Sequence, residues 1–178
     1  MDEIGKPELP VKYVKLLIPA TESVSGITLT KKVIRKIDLV KKITPAQPCL
    51  PISDDQPYQE FSRPNELIYN SEKPFPEENV QLVNEGYFDG NHIITLAIYP
   101  VIYYPKLNYI ELISTIEFEI IFKPNSRINK AVKYRSERNQ KIYDGILNDL
   151  VDNPEDISIY QATPSLGKKA QIQTDQLS

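Results

Sequence analysis

The chain has 178 residues, 40% of them hydrophobic and 25% charged, with a formal net charge of -3. That is enough chain for one domain with a real core, and it gives no global attraction to nucleic acid or to an anionic membrane. One cysteine, Cys49, and one histidine, His92, exclude an intramolecular disulfide and a zinc site of the Cys/His type, and no apolar run approaches the ~20 residues of a membrane span.

Val11 to Ile18, "VKYVKLLI", reads as a strand closed by Pro19. "SVSGITLTKKVIRKIDLV" then alternates, with Ile27, Leu29, Val33, Ile37 and Leu39 on one expected face. Period two over that length predicts one long half-buried strand, or two with a bend near Lys31-Lys32. From Thr44 to Pro76 the chain holds seven prolines. Proline gives no N–H to a ladder and pushes its predecessor toward extended geometry, so this is a long ordered loop, with one short strand at Leu67 to Tyr69.

"VQLVNEGYF" and "HIITLAIY" are strands around "DGN", since Asp-Gly is a strong hairpin signal. Ile94, Leu96 and Ile98 lie on one face of the second strand and Ile93, Thr95 and Tyr99 on the other, as in a central strand. Pro100 and Pro105 bracket "VIYY", which marks a bulge or a passage between sheets. In "STIEFEIIF", Ile116, Phe118, Ile120 and Phe122 point inward and Glu117 and Glu119 outward. The stretch Lys123 to Lys141 carries seven Lys/Arg against one Glu. Ile142, Tyr143, Ile146, Leu147, Leu150 and Val151 then recur at helical spacing, and Asn153-Pro154 ends the helix.

The expected fold is mainly β: an antiparallel, jelly-roll-like β-sandwich with one C-terminal helix. The domain runs over residues 1–160, with the loop at 44–76 and the helix at about 139–152; residues 161–178 form a flexible tail.

Chemistry is sparse. A Cys49–His92 dyad would need a thiolate stabilised by a helix N-terminus or a cation; Cys49 sits instead in a stiff segment between Pro48 and Leu50. The alternative readings are a packed loop thiol and a hydrogen-bonded strand-end histidine. Asp54-Asp55 and Glu77-Glu78 lack the spacing of a calcium loop and read as solvated charges. There is no glycine loop for phosphate, and the basic run has little aromatic interleaving for RNA. No metal and no cofactor are expected. The residues alone describe a β-rich, non-catalytic binding module.

Five blocks add to this: "GKPELPVKYVKLLIP", "PAQPCLPISD", "IYNSEKPFPEENV", "GYFDGNHIITLAIYPVIYYPKLN" and "LVDNPED". In this order, over about Gly5 to Asp156, they resemble the propeptide of gingipain-type cysteine peptidases. The resemblance implies a propeptide ahead of a caspase-like catalytic domain, which it keeps latent and helps to fold. The partner implied is that cognate catalytic domain in cis, joined through the tail, and the parent protein is a cysteine endopeptidase. The family is exported, mainly in Bacteroidetes, to the periplasm, cell surface or medium, with a secretion signal ahead of residue 1.

No family motif fixes an inhibitory residue here. The chain itself suggests Arg63 in the long loop, because Pro64 makes the following bond a poor scissile bond; a solvated loop arginine is the plainer reading, and Arg127 or Arg135 are alternatives. Lys168-Lys169 in the tail is the candidate maturation site, against an ordinary solubilising pair. A monomer is expected. The competing function is an adhesion or carbohydrate-binding β-sandwich, supported by eleven tyrosines.

Overall fold

A computed structural model describes residues 4–48, 61–125 and 136–161. In these, six strands appear in chain order: β1 (Lys12–Ile18), β2 (Glu22–Asp38), β3 (Val80–Phe88), β4 (Asn91–Ile98), β5 (Val101–Tyr104) and β6 (Tyr109–Pro124). The helices are α1 (Glu66–Tyr69), α2 (Glu137–Leu150) and α3 (Ile157–Tyr160). The strands form two antiparallel sheets ordered β1-β4-β3 and β2-β6-β5. The chain crosses between sheets after Ile18 and again at Tyr99-Pro100, where the two prolines around "VIYY" marked a passage.

The first sheet is buried on both sides. On its inner face Ile18, Val80, Ile94 and Leu96 pack against Val24, Ile27, Ile116, Phe118 and Ile120 of the second sheet. On its outer face Leu17 and Ile93 pack against Leu147 and Val151, with Leu150, Ile157 and Tyr160 closing over them. Neighbours in one strand, Leu17 and Ile18 or Ile93 and Ile94, therefore serve two different cores, as the pleat requires. That is why β4 is apolar on both faces.

β3 and β4 meet at Asp89-Gly90, both with positive φ, 50° and 80°. Two left-handed residues between Phe88 and its partner Asn91 make the turn whose twist matches a hairpin.

Four expectations change. Leu67 to Tyr69 is a single helical turn rather than a strand; the Asn65 side chain caps it by accepting from Leu67 N–H at 3.0 Å, the usual role of Asn at this position. The long strand β2 is one strand, but its apolar residues do not share a face. The register shift between Leu29 and Lys31 places an extra residue, Thr30, in β2 and reverses its alternation, whereas the shift between Val33 and Ile34 places the extra residue, Ser114, in β6. Ile27 packs in the inner core, while Leu29 and Val33 are 42% and 46% exposed. Finally, Asn153-Pro154 ends α2 as expected, but the chain resumes as a short 3-10 turn and α3. Phe122, expected inward, is 36% exposed and is not part of the inner core.

Candidate functional site

The N-terminal segment and the proline-rich loop build a small pad. Gly5 N–H donates to the Ala46 carbonyl at 3.0 Å, Ala46 N–H to Lys6 O at 2.7 Å, and Glu8 N–H to Thr44 O at 3.0 Å. A third chain lies beside these two. Asn65 N–H donates to Gly5 O at 2.8 Å, and Ser62 N–H donates to Gln47 Oε1 at 2.7 Å. The Gln47 amide also donates to Pro45 O at 2.8 Å.

Arg63 and Pro64 sit between those two anchors, exposed to solvent. Among the described residues Arg63 makes no ion pair. The backbone on either side of it is tied through Ser62 and Asn65. Gly5, at φ 85°, lets the pad close: a Cβ there would lie 3.0 Å from Arg63 O. Below the pad Tyr69 is 4% exposed and donates to Ile43 O at 2.8 Å. Its ring meets Tyr103 edge-on, centroids 6.3 Å apart. Burial, and then the neighbouring Tyr103, push the Tyr69 phenol up to about 12.

His92 stands far from this pad. Its side chain is 0% exposed and stacks on Tyr87 with centroids 4.4 Å apart. Nε2 lies 3.1 Å from Glu85 Oε1, a close electrostatic contact whose direction does not satisfy the ring N as a hydrogen bond. Nδ1 lies 3.4 Å from Pro19 O. The histidine ties β4 to β3 and to the β1–β2 crossing, a structural position as the sequence suggested. Glu77 and Glu78 are exposed, Glu77 pairing with Lys73 at 3.6 Å. Cys49, Asp54, Asp55, Arg127, Arg135, Lys168 and Lys169 lie outside the described residues. Among the described residues, no three acidic, His or Cys side chains converge as a metal would need, and no helix is long and apolar enough to cross a membrane.

Sequence reasoning did not find the pad. Its only signal was proline in "GKPELP" and "PAQP", which marks extended chain without saying which segments pair.

The described residues thus form a two-sheet fold that exposes an anchored loop carrying Arg63. The family model described as Propeptide_C25 matches residues 1–159; the chain belongs to that family of propeptides. A solved structure concerned with the zymogenic latency of gingipain K from Porphyromonas gingivalis is 25% identical, covers 70% of this chain and 70% of that one, and superposes with a TM-score of 0.56. A complex of the Porphyromonas gingivalis RgpB pro- and mature domains is 17% identical over 86% of this chain and 74% of that one, with a TM-score of 0.62; this likeness is one of fold. No curated protein matches. The chain is a propeptide of the gingipain-type cysteine peptidases and is not itself a catalyst.

Proposed function

We propose that this propeptide holds the catalytic domain of its own precursor latent and assists its folding, and that Arg63 is the residue it presents. The observation that carries this reading is the anchored pad. Ser62 and Asn65 are each tied by a backbone N–H, so the loop between them is ordered before binding and little entropy is lost on docking. An exposed guanidinium suits an acidic specificity pocket, with charge-assisted and bidentate contacts. Pro64 follows with no N–H and a fixed φ, which resists cleavage of the bond that the pocket would otherwise position. The precursor is exported, and it matures by cleavage at Lys168-Lys169, ahead of the catalytic domain. The propeptide acts as a monomer.

Inhibition of the separately purified catalytic domain tests the reading. Arg63→Ala should weaken inhibition about tenfold or more, roughly 1.4 kcal/mol. Pro64→Ala should convert the loop into a slow substrate cut after Arg63. Unchanged inhibition by the first variant together with no cleavage of the second excludes this loop. The maturation site is checked by N-terminal sequencing of the processed enzyme; a start far from Ala170 excludes the lysine pair.

A further inference from the structure

Two sheets of three strands have four outer edges, and the described residues cover two of them. Along β1, Lys15 N–H donates to Asp152 Oδ2 at 2.7 Å. The Asn153 side chain accepts from Leu17 N–H at 2.8 Å and donates to Leu17 O at 2.9 Å. Along β5, Phe75 exchanges both backbone bonds with Tyr103 at 2.8 Å. The other two edges, of β2 and β3, face each other across a groove of about 660 Å³ lined by Val24 to Leu29 and Glu77 to Leu82.

The groove is held open between two pins. At one end Glu85 Oε1 accepts from Val24 N–H at 3.4 Å, and His92 Nε2 is 3.1 Å from the same oxygen. At the other, Lys32 Nζ donates to Asn79 Oδ1 at 3.4 Å. Six residue steps of β3 separate Asn79 from Glu85, about 20 Å of extended chain. Natural sheets shield bare edges with charge, proline or cover. Here Val24 to Leu29 and Asn79 to Leu82 carry neither charge nor proline, and Leu29 and Leu82 are 42% and 38% exposed. The Asn79 side chain is the second sign of an occupant: the residue is 6% exposed, yet its Nδ2 has no acceptor among the described residues.

We propose that this groove receives an extended segment of the peptidase itself, added as a strand beside β3, with a carbonyl of the segment accepting from Asn79 Nδ2. The inference rests on the latency reading above. Charge selects the segment: the lining is neutral between Glu77 and Glu78 at one end and Glu85 at the other, so its complement is about six uncharged residues flanked by basic ones. Continuity selects the peptidase. A neighbouring groove shares Glu77, Glu78 and Gln81 with this one and also touches Lys6 and Ala46 of the pad that presents Arg63. A second copy of the propeptide is a poor occupant, since its own bare edges are recessed between the same pins. Strand addition gives affinity through backbone bonds whatever the side chains, and it binds the partner away from its active site.

The test is calorimetric titration of the separately purified catalytic domain with the wild-type chain and with Leu29→Glu, Leu82→Glu and a control, Ile159→Glu on α3. The expected result is at least tenfold weaker binding for the two groove variants and unchanged binding for the control. If the wild type fails to bind, the latency reading falls. If it binds and the groove variants match it within twofold, the latency reading stands and the groove inference is overturned. It is also overturned if the wild type dimerises in sedimentation and Leu82→Glu abolishes the dimer. Should the variants not fold, hydrogen exchange on the wild-type complex decides: slower exchange over 24–29 and 79–83 is expected, and unchanged exchange there overturns the proposal.

Discussion

Tyr69 shows how burial of one group becomes a property of the fold. Its phenol titrates at about 12 in the folded chain and near ~10 in an unfolded one. The folded state therefore holds this proton more tightly. The resulting stability is whole below about pH 10 and is lost as pH rises toward 12. Tyr103 and Tyr104 are raised in the same direction, first by burial. Urea denaturation at pH 8 and pH 11 should show the chain weakening at the higher pH, and Tyr69→Phe should flatten that dependence while costing about 1 kcal/mol at pH 8 for the lost bond to Ile43. Leu96 is the corresponding apolar case. It is 0% exposed at the centre of the inner core, so Leu96→Ala should cost about 2–5 kcal/mol. Phe118 is only partly buried, and Phe118→Ala should cost less but more than ~1 kcal/mol. The inward faces of these two strands were legible because alternation is local. The tyrosine's environment was not, because Ile43 and Tyr103 reach it only through the folded chain.

At the scale of elements, the sequence yielded those whose signal is carried by the segment itself. The Asp89-Gly90 hairpin is one. Gly90→Ala should cost about 1 kcal/mol, because φ is 80° there and a Cβ disfavours it. Thermal melts of the variant check this. What was missed depends on partners. The bulges of β2 arise from pairing with β6, and one extra residue reverses every later side chain. Helix α1 depended on one cap that propensity did not outweigh. The pad joins three segments distant in sequence, so no window could display it, although Arg63 could be singled out as a candidate from its own neighbour Pro64. Gly5→Ala tests the pad as a unit: the new methyl group would meet Arg63 O at 3.0 Å at a strained φ. Inhibition should fall along with stability, whereas a variant that is destabilised and inhibits normally would separate Arg63 presentation from the pad.

For the whole molecule, the pairing of sheets sets the pace of folding. β2 pairs with β6 from Glu22 with Pro124 to Asp38 with Tyr109, and β1 with β4 from Lys12 with Ile98 to Ile18 with His92. Such distant pairings cost loop-closure entropy before they return contacts, and β-sandwiches of this kind fold in milliseconds to seconds. Stopped-flow refolding followed by tyrosine fluorescence should place this chain in that range. The two-sheet architecture was legible from strand count and turns, while the order of strands, which only pairing reveals, was not.

The bonds from Asp152 and Asn153 to β1 have a consequence in the time domain of synthesis. The first strand made is braced by nearly the last described residues, and its sheet neighbour β4 emerges some seventy residues after it. At ribosomal rates of ~5–20 residues per second, β1 waits on the order of ten seconds for β4 and longer for its brace. During that interval "VKYVKLLI" is an apolar strand with both edges bare. A nascent chain is therefore at its most vulnerable after β1 has been made and before β4 has followed it.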